Sequence, residues 1–348
     1  MKIYAIKLFF ILNIVLIGCE RVIPFAQHDT ESKLIISALA SPDTTISIFL
    51  NKSIFFLNDS ITSDIWESKP PFCVQDADIT LCVNKSKKYT MHFDLKEKMY
   101  ISNYRPKIGD SISIEVIHNN FEKVTSNTTI KSMAKFEIES YYHYYNKSTE
   151  SGCEQVYNNG EPCTDTLMSI NCKINDPKGE KNYYRLQVRS TEGQVMGKAP
   201  KNERAYSSNL FYSDNIIFYD KNRSSSIEGF PSYFSNVFDD SLFDGKEYQF
   251  NVKARQLNSY YNTYYFPGEP IPDSLCTWIE INLQHISKDL YTYLKNMESI
   301  ACAENDIYAE PISVHTNIQN GYGIFGSLTS KKYILEFSKF RLDPQKIP

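Results

Sequence analysis

The chain has 348 residues, enough for about two domains that each bury a core, and its 37 Lys and Arg against 41 Asp and Glu give a net charge of −4. No basic run is longer than Lys87-Lys88, which argues against nucleic acid or an anionic membrane face as a partner, since both are held through basic surface. The 25 Tyr and 21 Phe, with many Ile, Val, Ser and Thr, lean towards β-structure.

At the N-terminus, Lys2 and Lys7 accompany an apolar run over residues 8–17 that ends at Gly18-Cys19. A positive segment, a short apolar segment and a small residue make up a signal peptide, and the run is too short to span a bilayer. Leu16-Ile17-Gly18-Cys19 resembles a bacterial lipobox, which implies cleavage before Cys19 and acylation of that cysteine. Residues 1–18 are then a lipoprotein leader and residues 19–32 a lipid-anchored tether. Each buried acyl methylene contributes about 0.8 kcal/mol, and two or more chains hold firmly.

From Lys33 the pattern is strand after short strand. Residues 34–39 are apolar, Ser41-Pro42-Asp43 makes a turn, and Ile46, Ile48 and Leu50 alternate with Ser47 and Phe49. Further strands are expected over 79–83, 89–93, 99–102 and 112–116, with residues 58–71 as a polar loop. That spacing predicts a first β-sandwich over 33–131. A second β-rich domain over 132–348 is expected to hold strands at 136–145, 167–174, 183–189, 247–254 and 277–284. One helix interrupts it near 287–298: Ser287 caps its start, Ile286 and Tyr291 flank the cap, and Ile286, Leu290, Leu294 and Met297 form an apolar stripe that predicts core packing. The expected fold is mainly β, with two immunoglobulin-like β-sandwich domains, the second carrying this one inserted helix.

Seven cysteines remain besides Cys19. Cys153 and Cys163 flank Asn159-Gly160, a turn dipeptide, and are candidates for a hairpin disulfide in an oxidising compartment; small buried thiols are the alternative. No cysteine or histidine spacing suits zinc, no catalytic residue is assigned, and no cofactor or metal is expected. Gly321, Gly323 and Gly326 have the glycine spacing of a dinucleotide loop, but Ser327 to Leu335 reads as strand where that loop needs a helix. Acidic pairs such as Asp239-Asp240, or Asp76 with Asp78, receive no role. Two tyrosine clusters are candidates for recognition: Tyr141, Tyr142, Tyr144 and Tyr145, and Tyr260, Tyr261, Tyr264 and Tyr265. A ring with a polar tip suits an interface; packing within the domain is the alternative.

Several stretches carry a resemblance: residues 32–37 with Ser41-Pro42-Asp43, the run Asp176-Pro177-Lys178-Gly179-Glu180-Lys181-Asn182-Tyr183-Tyr184-Arg185, Leu242-Phe243-Asp244-Gly245-Lys246, the helix at 286–297, and Glu310-Pro311-Ile312 leading to residues 317–326. Together they resemble the Bacteroidota lipoprotein family known as domain of unknown function 4249, and the first domain looks like a carboxypeptidase regulatory-like sandwich. The resemblance implies an outer-membrane lipoprotein, periplasmic or surface-facing, that is not an enzyme and serves as an accessory or binding module of a TonB-dependent receptor uptake system. It supplies no catalytic residues. A lipid-anchored hydrolase of polysaccharide or peptide, or a structural envelope protein, is the competing reading.

Overall fold

The computed structural model describes residues 31–53, 72–147, 164–196, 199–206, 211–220, 234–255, 274–303, 310 and 312–341. The fold is mainly β. Among the described residues a nine-stranded sheet runs along the molecule, and a four-stranded sheet packs on each half of it.

The first half contains β1 (Leu34–Ala40), β2 (Ser47–Lys52), β3 (Asp78–Val83), β4 (Lys87–Thr90), β5 (His92–Asp94), β6 (Met99–Ile101), β7 (Ser111–His118) and β8 (Phe121–Thr129). β1, β2, β6 and β5 belong to the long sheet, and β4, β3, β7 and β8 face them. Alternation does the work: Leu34, Ile36, Ile48 and Leu50 from one sheet meet Ile79, Leu81, Ile112 and Ile114 from the other, all buried. The single strand expected over 89–93 is two strands. Met91 is buried and its N–H bonds the Ile79 carbonyl, so the chain crosses there from one sheet to the other.

The second half contains β9 (Lys135–Lys147), β10 (Thr164–Asn175), β11 (Tyr183–Met196), β12 (Ala199–Tyr206), β13 (Phe211–Tyr212), β14 (Val237–Asp239), β15 (Glu247–Arg255), β16 (Ser274–Ile286) and β17 (Tyr322–Arg341). β13, β15, β10 and β9 form the covering sheet, and the core between the layers is built from Met168, Ile170, Tyr184, Leu186, Phe250, Val252, Ile279 and Ile281 with a group of phenylalanines that includes Phe218 and Phe238.

One helix, α1 (Lys288–Ala303), lies on the outer face of the long sheet. Ser287 caps it through Oγ, which accepts from Leu290 N at 3.4 Å. Leu290 and Leu294 pack with Ile286, Tyr291, Val237 and Ile324. The stripe stops short of Met297, which is 40% exposed.

β17 joins the halves. Its first part pairs in parallel with β1, from Ile35 opposite Tyr322 to Ala40 opposite Ser327; from Leu328 it pairs antiparallel with β16. Residues of the C-terminal region therefore complete the first core, where Ile318 and Phe325 are buried. The glycines explain the close approach. A Cβ at Gly323, whose φ is +99°, would lie 2.0 Å from the Ile36 carbonyl oxygen, and one at Gly321 would lie 2.7 Å from that of Leu34.

Candidate functional site

On the first sandwich, strand alternation turns polar residues away from the core. Thr80 and Cys82 of β3, Ser113 and Glu115 of β7, and Thr125 and Asn127 of β8 share the outer face of their sheet. Residues 317–319 then run along the edge of β8 as a strap. Thr125 and Gln319 exchange backbone bonds, with Gln319 N donating to the Thr125 carbonyl at 2.9 Å, and Ser126 Oγ donates to the Asn317 carbonyl at 2.8 Å. The strap raises one wall, Lys88 of β4 stands on the far side, and between them lies a groove of about 600 Å³. That is the size of an ordinary small-ligand site.

The strap is fixed from both ends. The Asn317 carboxamide bonds both backbone groups of Phe325, accepting from its N–H at 3.0 Å and donating to its carbonyl at 2.9 Å. Asn320 donates to the Lys123 carbonyl at 3.1 Å. Upstream, His315 N donates to Asn296 Oδ1 on α1, and the His315 ring meets Asp289 at 2.9 Å. The groove wall is thus held by the helix on one side and by the start of β17 on the other.

The lining is mostly hydroxyls and carboxamides, with Cys82, Lys88 and Glu115 beside them. Thr125 Oγ1 donates to Gln319 Oε1 at 3.0 Å, and Glu115 is engaged by Lys123 at 2.6 Å. These groups both donate and accept, so the groove can hold a polar ligand through hydrogen bonds.

A second cluster brings three carboxylates together. Oxygen atoms of Asp176, Asp240 and Asp244 lie within 4.8 Å of one another. Protein donors occupy them. Asp176 accepts from Tyr184 Oη at 2.5 Å, Gly245 N at 3.0 Å and Asn182 Nδ2 at 3.3 Å. Asp240, 1% exposed, accepts from Asn182 N at 2.6 Å and pairs with Lys181 Nζ at 3.1 Å. Burial pushes the Asp176 carboxyl above its usual range and the Tyr184 hydroxyl far above its own. Lys181 already supplies the positive charge that a cation would bring, so the cluster reads as a knot tying residues 176–184 to the turn at 239–245. Of the other acidic pair, Asp76 meets His118 Nε2 at 3.1 Å on the surface.

The residues singled out in the sequence are dispersed. Tyr141 and Tyr142 lie on β9, 48% and 57% exposed. Tyr144 and Tyr145 belong to the same strand, while Cys19, Cys153, Cys163, Tyr260, Tyr261, Tyr264 and Tyr265 lie outside the described residues. Cys73, Cys82 and Cys172 are unbridged, and burial raises the Cys172 thiol far above the range in which a thiol reacts. The groove itself was not singled out; the signal for it was the alternation of Thr, Ser and Asn on β8 together with Asn317, Gln319 and the turn at Asn320-Gly321.

A family model described as "Domain of unknown function (DUF4249)" matches residues 20–334. The chain belongs to this family. No curated protein matches the sequence. Among solved structures, a membrane-anchored protein from Corynebacterium diphtheriae is similar at 12% identity and a TM-score of 0.18, over 72% of this chain; the chain spans about half that protein's length, 54%. In this DUF4249 protein the groove wall and the carboxylate knot both lie within the matched span. The glycines at 321, 323 and 326 belong to a turn and strand rather than a phosphate loop, because β17 continues where a helix would have to begin.

Proposed function

We propose that the protein is a lipid-anchored binding module of the cell envelope, non-enzymatic, working beside a TonB-dependent outer-membrane receptor. The observation that carries this is the groove on the first sandwich, a ligand-sized concavity lined by Thr80, Ser113, Thr125, Asn127, Asn317 and Gln319. Hydroxyls and carboxamides bind and orient a polar ligand through hydrogen bonds. The leader ending at Gly18-Cys19 supports the anchor, and the exposed Tyr141 and Tyr142 support a recognition surface. Mass spectrometry of the mature N-terminus is expected to find an acylated Cys19, and purification from detergent-solubilised membranes is expected to bring down a large β-barrel protein. An unmodified Cys19 removes the anchor. A chain that comes down alone, and cleaves polysaccharide or peptide, replaces the binding module with the hydrolase.

A further inference from the structure

Beside α1, the outer face of the long sheet in the second half is polar. On β11, Tyr184, Leu186 and Val188 enter the core, so Arg185, Gln187 and Arg189 turn outward. Opposite them on β16 stand Gln284, Asn282 and Glu280, register partners in that order. Gln187 and Gln284 are buried, and Gln284 Nε2 donates to Gln187 Oε1 at 3.0 Å. Arg185 Nε, Asn282 Oδ1 and Gln284 Oε1 are buried too, and among the described residues none of these atoms has a hydrogen-bond partner. Such groups are normally bonded, and several together on adjacent positions of paired strands call for a cause.

Arg185 is the costliest of them. Among the described residues its guanidinium makes no hydrogen bond or ion pair, and neither does that of Arg189. The carboxylates at hand are engaged elsewhere: Glu280 meets Lys332 at 3.0 Å, and Glu298 of α1 accepts from Ser235 Oγ at 2.6 Å. The charge of Glu298 reaches Arg185 without bonding it, and that of Arg189 repels it. Burial holds the Arg185 guanidinium below its ordinary pKa, yet an arginine stays charged in a protein. A charge taken out of water is costly to leave unpaired. Nε is closed off, but the terminal nitrogens of Arg185 stay open to solvent, as do the side-chain N–H groups of Gln187 and Asn282. What this face still offers is therefore donors.

We infer that Arg185 anchors an oxyanion site on this face, pairing with two oxygens of a carboxylate or phosphate group while the Gln187 and Asn282 carboxamides donate beside it. The planar guanidinium fork matches either group with two parallel bonds, which a lysine at the same place could not make. Arg189 adds positive potential next to it. The site is separate from the groove on the first sandwich, goes beyond the receptor-accessory reading and does not need it.

Isothermal titration of the full chain in non-ionic detergent tests it, with inorganic phosphate in one arm, acetate in the other, and ionic strength held constant with chloride. One-to-one binding is expected, and the arm that binds tighter tells a phosphorylated ligand from a carboxylated one. Arg185→Met keeps the packing of the stem and removes the charge, so it is expected to weaken binding about tenfold. Without anion, its melting temperature should be unchanged or higher, because an unpaired buried charge has gone. Arg185→Lys should bind better than Arg185→Met and worse than the natural chain, and Arg189→Gln should lose about threefold. Absence of binding in both arms overturns the inference, and so does an affinity that Arg185→Met leaves unchanged. A clear drop in the melting temperature of Arg185→Met without anion overturns it as well, because the arginine then serves the fold and not a ligand.

Discussion

His285 shows how one buried ring makes the whole fold sensitive to acid. Its Nδ1 meets the Ser132 carbonyl at 2.6 Å, and a carbonyl only accepts, so that nitrogen carries the proton. Nε2 is buried with no hydrogen-bond partner among the described residues. A second proton would place a charge in a site 3% exposed. Burial, opposed by the Ser132 bond and reinforced by the charge of Lys131, holds the imidazole below its ordinary 6.5; Asp176 and Glu180 pull weakly the other way. The sign follows from linkage: as pH falls through 6.5 the unfolded chain takes up a proton that the folded chain refuses. Stability is therefore full above that pH and falls as pH drops towards the folded value, by up to about 1.4 kcal/mol per pH unit. Urea midpoints measured from pH 7.5 down to about 5.5 should decline. His285→Asn keeps a donor for Ser132 and cannot be protonated, so it should flatten that decline; an identical slope in the variant would place the acid sensitivity elsewhere.

At the scale of elements, the strap depends on one side chain that behaves like a strand. Where β17 pairs with β1 on one side, β16 has not yet joined it on the other, and the Asn317 carboxamide bonds the Phe325 N–H and carbonyl in its place. Asn317→Ala leaves both backbone groups without that partner in a crowded place. The loss should be about 2 kcal/mol, since an unmade buried bond costs about 1–3 kcal/mol, and the groove wall should loosen, seen as faster amide exchange at Gln319 and Thr125 with little change in the second sandwich. Asn317→Asp, which keeps the acceptor and loses the donor, should fall between. The same place shows what a sequence can and cannot reveal. β1 was legible as an apolar run, β2, β3 and β7 because Ile, Leu and Val recur at every second position, and α1 because Ser287, Ile286 and Tyr291 mark its start. β8 was not, since its inward positions include Ser126 and Thr128 beside Val124 and show no apolar rhythm. The groove was hidden for a different reason: the strap and the strand it lies along are 194 and 191 residues apart at the two bonds that join their side chains and backbone, and those bonds run from the Thr125 and Ser126 hydroxyls, which leave no periodic trace.

For the whole molecule, β17 makes the first sandwich depend on the last part of the chain. Its parallel ladder covers β1 from Ile35 to Ala40, and Phe325, fully buried, fills the first core together with Ile318. Removing a buried phenylalanine alone costs about 3–5 kcal/mol, a large share of the roughly 5–15 kcal/mol that holds a domain together. Without residues 312–328 the fragment would also expose β1 as a hydrophobic edge, the arrangement that draws strands into aggregation. Residues 31–131 expressed alone should therefore show no cooperative urea transition and should aggregate. The same fragment carrying residues 312–328 on a flexible linker should unfold cooperatively, because the missing strand adds itself back to β1 and returns Phe325 to the core. The comparison is made by circular dichroism against urea, with Phe325→Ala in the fused form as the control that separates strand pairing from core filling. If the bare fragment unfolds at the same midpoint as the fused one, the first sandwich is self-sufficient, and β17 ties the halves together without completing either.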